Sequence, residues 1–276
     1  MQSLSARDIE IKVVVNVIYA ALVWGLSRLR RQIARRDPRY WWVIPCITAF
    51  VWLASNLCYS RFVQSFSPVF FYVSTILSAV LILGELRQFW AIGLVGADVE
   101  IKEGIDYSRA LQMCSSSLEF LGIGAAKLTQ TNKIFTDAID RCDSQTRPIR
   151  FLLSSPESVE LTKMAQRAGR ADTEYRETVL SSLRVLATLR NKRSKNIEVR
   201  FYEDFPAFRI MFINDEICLT SHYVFGKGDG SQLPQLHIIR KSGSRDVNSL
   251  YYGFRSYFDR TWEESRSWDF KEYLKE

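Results

Sequence analysis

The sequence contains only two histidines, His222 and His237, and five cysteines with no CxxC pair. That leaves little for a metal site, excludes a zinc-finger signature and gives no disulfide framework. No residue pattern calls for a cofactor. Thirteen Gly and seven Pro in 276 residues exclude collagen-like and long disordered designs. An excess of positive charge is also missing where a DNA-binding domain would need it. The net charge is +7, yet residues 85–276 hold 28 Lys/Arg against 27 Asp/Glu, while residues 1–84 hold nine against three. The basic excess therefore belongs to the N-terminal third, which is also the apolar third. A membrane surface, rather than nucleic acid, is the partner that this combination implies.

Tyr40 to Ser60 is a run of 21 residues without a charge, and Phe62 to Gly84 is a run of 23. About 20 apolar residues span a bilayer core, so each run suffices. Val13 to Ser27, with 15 uncharged residues between Lys12 and Arg28, is either a third span with snorkelling ends or an amphipathic helix on the surface. Arg28, Arg30, Arg31, Arg35, Arg36 and Arg39 crowd the link between the first two runs against one acid, Asp37. Positive-inside bias puts that link in the cytoplasm, and everything after Gly84 as well. Trp41 and Trp42 fall where an interfacial aromatic belt belongs. No short basic leader precedes the first run, which argues against a cleaved signal peptide. The expected layout is a transmembrane region over 1–84, a helical connector over 85–112 and a cytosolic domain over 113–276. In a bacterium this would be a multi-pass inner-membrane protein.

The soluble part alternates elements. Strands are expected at 117–123, 149–153, 197–202, 208–213, 216–221 and 236–240, with helices at 135–142, about 172–193 and a C-terminal aromatic stretch. Tyr175, Val179, Leu183, Leu186 and Leu189 form one helical stripe. Ser155-Pro156 reads as a helix cap and first turn, and Asn214-Asp215 as a tight hairpin. Cys114, Cys142 and Cys218 read as core residues. The fold class is one α/β domain with a mixed sheet.

The order strand, helix, Ile149-Arg-Phe-Leu-Leu-Ser-Ser-Pro156, long helix, Ile197-Glu-Val-Arg-Phe-Tyr202, Phe208-Arg-Ile-Met-Phe-Ile-Asn-Asp215 resembles the phospholipase D-like fold. The final helix with Phe258-x(3)-Trp262 resembles the closing helix of that fold. The resemblance implies a His-x-Lys-x(4)-Asp motif on the strand pair after the long helix, its His the nucleophile and its Lys and Asp completing the phosphate site. Counting back from Asp215 puts Phe208 at the His position and Ile210 at the Lys position. A benzene ring has no lone pair with which to attack phosphorus, and an alkyl chain cannot hold an oxyanion. The resemblance therefore implies a site that binds without cutting.

Candidate contacts follow, each with a bland alternative. Gly122, Gly124 and Lys127 either cradle a phosphate or make an ordinary turn after a strand. Ser154 and Ser155 either meet a ligand at a strand end or cap a helix. Arg209, Asp215, Ser221, His222 and Lys227 surround the degenerate motif and either contact an anion or lie on the surface. Arg190, Lys192, Arg193 and Lys195 either track a nucleic-acid backbone or form a solvated helix end, the reading that the dipole favours.

Membrane spans on a catalytically dead phosphate-binding domain resemble the effectors of bacterial antiphage systems. That resemblance implies a nucleotide or single-stranded oligonucleotide signal, membrane lipid as the other partner, and a homo-oligomer, dimer or tetramer, because few helices cannot line a pore alone. Two rivals are a membrane-tethered phosphodiesterase using His222, and a scaffold that docks a partner through exposed Tyr251, Tyr257 and Trp262.

Overall fold

Strong β-formers at Ile149–Ser154, Ile197–Tyr202 and Phe208–Ile213 build the centre of one eight-stranded sheet. The computed structural model describes residues 72, 75–76, 79–80, 82–84, 86–130, 133–204, 207–223, 230–241 and 248–274. The expected spans at 13–27 and 40–60, and most of 62–84, lie outside the described residues, as does Lys227. Among the described residues no helix is long and apolar enough to cross a membrane.

The chain divides into Met1–Gln88 and Phe89–Glu276. In the second unit the strands are β1 (Leu94–Asp98), β2 (Leu118–Gly122), β3 (Ile149–Ser154), β4 (Ile197–Tyr202), β5 (Phe208–Ile213), β6 (Ile217–His222), β7 (Gln235–Ile239) and β8 (Arg266–Ser267). The helices are α1 (Tyr107–Met113), α2 (Ala126–Thr129), α3 (Lys133–Arg141), α4 (Val159–Arg167), α5 (Glu174–Arg193) and α6 (Leu250–Glu264). The order across the sheet is β1-β7-β6-β5-β2-β3-β4-β8. β2, β3 and β4 run parallel and the other pairings are antiparallel, so the expected mixed sheet is present.

Alternation along each strand sorts the side chains onto two faces. Phe120, Phe151, Leu153, Val199 and Met211 face the layer of α1 to α5. Leu121, Leu152, Ile210 and Phe212 face α6, where Tyr251, Phe258 and Trp262 are buried. Burial returns Tyr251 and Trp262 to the core, and Tyr257 is half-buried against it, which removes the main support for a docking face there. Cys114, Cys142 and Cys218 are buried thiols, as the sequence implies.

Three local expectations change. Residues 94–98 are not part of a helical connector but an edge strand. Helix ends at Gly93, whose φ of 86° suits glycine, and its carbonyl accepts from the Ile239 N–H at 2.9 Å, steering the chain beside β7. The helix after β3 begins later than expected. Its cap is Ser158, whose Oγ accepts from the Glu160 N–H, while Ser155 sits buried at the strand end. The short helix α2 was not foreseen. Asn214 and Asp215, both at φ 57°, make the expected hairpin turn.

Candidate functional site

Arg209 follows the nucleophile position on β5, so alternation turns it away from Phe208. It is 4% exposed and lies on the α1–α5 face. Its guanidinium donates to the Tyr107 hydroxyl at 2.9 Å and to Gln235 Oε1 at 2.9 Å, and sits 5.1 Å from the Tyr107 ring centre. These contacts fix its plane at the base of a cavity of about 310 Å³. Lys127 and Arg170 line the same cavity, with Gly124, Tyr175, Thr178 and Tyr223. Partial burial and the positive charges of Arg170 and Arg209 hold the Lys127 ammonium below the usual lysine range.

The walls are built by close packing. A Cβ on Gly124 would come within 3.2–3.3 Å of Thr178 side-chain and backbone atoms, so glycine lets β2 approach α5 there. Ser182 Oγ accepts from the Ala125 N–H at 2.9 Å and donates to the Thr178 carbonyl at 2.8 Å. The Tyr223 hydroxyl accepts from the Ile123 N–H at 3.1 Å, and burial pushes its phenol well above the usual range. Arg170, in the link before α5, pairs with Glu174 at the start of that helix, and its guanidinium lies 5.5 Å from the Tyr175 ring centre.

The structure therefore brings together three of the expected contacts, Gly124, Lys127 and Arg209, and disperses the other described ones. Gly122 is buried within β2, and a Cβ there would strike the Phe120 ring at 2.8 Å. Ser154 and Ser155 are buried at the end of β3 and do not line this cavity. Ser221 is buried opposite Arg209 across the β5–β6 ladder. Asp215 lies at the far end of β5, in the turn, where Arg147, Arg240 and the Tyr251 hydroxyl hold it. Burial raises its carboxyl, but Arg147 and the other partners outweigh that and keep it below the usual range.

The basic run is also elsewhere. Arg193 pairs with Asp140, Lys195 donates to the Asp140 and Cys142 carbonyls at 2.9 and 3.1 Å, and Arg190 stacks 4.0 Å from the Phe270 ring centre. Those contacts tie the end of α5 to its neighbours, and Lys192 is exposed beside them. The run begins roughly 22 Å along α5 from Tyr175, at 1.5 Å per residue.

On the other face, Phe208 packs edge-on against Phe254 and Tyr257, with ring centres 5.4 and 5.7 Å away. Ile210 is fully buried under α6. His222 is the cross-strand partner of Phe208 and is exposed at the strand end.

Sequence reasoning missed Arg170, Tyr107, Tyr175 and Gln235. Arg170 follows Gly169, whose φ of 66° reverses the chain between α4 and α5. The glycine was the available signal, but nothing local indicates where the turn aims.

No protein family and no curated protein matches the sequence. Among solved structures the chain is similar to a phospholipase D family member, Nuc, from Salmonella typhimurium. The identity is 12% and the TM-score 0.36, over 59% of this chain and 88% of that chain.

Proposed function

We propose that the chain is a membrane effector whose cytosolic domain is a receptor, not a hydrolase. Two or three N-terminal spans carry the domain, which binds a nucleotide or oligonucleotide through phosphate. In a bacterial host, a change in occupancy alters the packing of the spans in an oligomer and lets ions cross, as in abortive infection by antiphage systems.

The receptor reading rests on one juxtaposition. Three cations line one cavity, while the positions expected to attack phosphorus and hold the oxyanion carry an edge-packed ring and a buried alkyl chain. The membrane reading draws on the two long uncharged runs. It also draws on Tyr72, Ile76, Val80 and Leu83, apolar and exposed at the spacing of one helix face.

Native mass spectrometry of the detergent-solubilised protein tests both the oligomer and the ligand. The expected spectrum shows two or four copies with added nucleotide mass. Liposomes containing the protein should show an ion flux that oligonucleotide changes; no flux in either condition overturns the effector reading. A second reading, a phosphodiesterase using His222, draws on that residue's place beside Phe208. It requires turnover of labelled DNA, RNA or phospholipid that His222→Ala abolishes. The receptor reading expects none.

A further inference from the structure

The cations that line the α1–α5 cavity suit one kind of anion. Arg170 shares its charge with Glu174, and that pair is close to neutral. Lys127 and Arg209 line the same cavity, so three cationic side chains converge on it. Among the described lining residues none is acidic. The Tyr107 and Tyr175 rings and the Gln235 amide hold the two guanidinium planes, the preorganisation that makes arginine a bidentate phosphate ligand.

Size narrows the choice further. A cavity of about 310 Å³ lies at the small end of ligand pockets. It holds one nucleotide unit and excludes a folded strand. An internal phosphodiester offers only two unesterified oxygens to these three cations. A terminal phosphomonoester carries about −1.5 to −2 at neutral pH and offers three acceptor oxygens. Tyr107 and Tyr175 already stack on arginine and Tyr223 is tied to the β2 backbone, so the rings organise cations and leave the base unread.

We infer that this cavity grips a phosphomonoester dianion, the terminal phosphate of a nucleotide or short oligonucleotide, through Lys127, Arg170 and Arg209. This rests on the receptor reading above and adds the group recognised and its place, on the sheet face opposite Phe208 and Ile210. A phosphatidic acid headgroup carries the same chemistry, so the test separates the two sources.

The experiment is calorimetry on the full chain in detergent. The probes are AMP, its 5′-methyl phosphodiester, one tetradeoxynucleotide with and without a 5′-phosphate, and dihexanoyl phosphatidic acid. AMP and the 5′-phosphorylated oligonucleotide should bind, with the methyl diester and the unphosphorylated oligonucleotide weaker by about tenfold or more. Lys127→Ala, at an exposed position where folding is not at stake, should weaken AMP by a similar factor. Equal binding with and without the 5′-phosphate, or no effect of Lys127→Ala, overturns the inference and leaves the receptor reading standing. Lys127-dependent binding of AMP with no oligonucleotide binding upholds the inference and removes the oligonucleotide from the receptor reading. Binding of phosphatidic acid alone overturns the nucleotide assignment, and binding of no probe overturns both.

Discussion

Glu119 carries more structural weight than any residue of the expected motif. Its carboxylate is 1% exposed on β2 and meets Arg147 at 2.7 Å, Arg150 at 2.9 Å and Arg255 at 2.7 Å. Arg255 belongs to α6 and also lies 4.9 Å from the Phe212 ring centre, so one acid ties the closing helix to the sheet. Removing one partner of a buried ion cluster leaves charges uncompensated, which costs about 3–5 kcal/mol. Glu119→Gln should lower stability by that order, read as the denaturation midpoint followed by tryptophan fluorescence. Asp215 belongs to the same system, because Arg147 bridges Glu119 and Asp215. Asp215 therefore has a structural role in the turn after β5. Phe208→His alone should create no phosphodiester hydrolysis, since Ile210 beside it is fully buried and offers no cation. An assay with labelled oligonucleotide and phospholipid checks this, and turnover above background would contradict it.

The element that most changes the picture is β1. It is held by more than its ladder with β7: Asp98 Oδ2 lies 2.7 Å from His237 Nε2 and accepts from the Ile105 N–H at 2.8 Å. Burial raises the Asp98 carboxyl, but the Ile105 and His237 bonds outweigh it and leave it below the usual range. A folded-state value below the unfolded one stabilises above the unfolded pKa of about 3.9 and loses that contribution as pH falls through the folded value. Asp98→Asn should therefore be less stable than wild type at pH 7. The gap between their denaturation midpoints should close as the pH drops below about 4. A gap that persists at pH 2.5 would show that the carboxyl acts by shape alone. Unlike the central strands, β1 was illegible in the sequence. Ile149–Ser154, Ile197–Tyr202 and Phe208–Ile213 announce themselves by β-branched and aromatic residues, whereas Leu94-Val-Gly-Ala-Asp98 is short and rich in small residues. The pocket was half legible for a related reason. Gly124 and Lys127 follow a readable strand, and Arg209 follows from alternation on β5. Arg170, Tyr107 and Gln235 come from three separate segments whose meeting depends on how α4, α1 and β7 pack, and no local pattern encodes that.

Across the whole molecule, the proposed receptor reading requires that occupancy of the cavity be felt at the N-terminal apolar run. One chain of contacts leaves the cavity: Arg209 donates to Gln235 Oε1, and Gln235 Nε2 donates to the Ile105 carbonyl at 2.9 Å. The Ile105 N–H in turn bonds Asp98 at the end of β1. β1 follows in sequence the apolar run that ends at Gly84. A ligand controls a two-state packing only through the difference in its affinity for the states. Moving the balance from 1:99 to 99:1 takes about 10⁴-fold, about 5.5 kcal/mol. That difference needs a contact that one state makes and the other lacks, and Gln235 is the side chain joining the cavity cation to β1. Gln235→Leu should retain most AMP binding, because Lys127, Arg170 and Arg209 all remain. Calorimetry should place its affinity within about tenfold of wild type, whereas ion flux from liposomes should lose its response to oligonucleotide. If the variant binds as wild type and its flux responds as wild type, coupling runs through another part of the sheet. Conversely, if binding itself collapses, Gln235 serves only to hold Arg209 in place, and the path to β1 lacks its link.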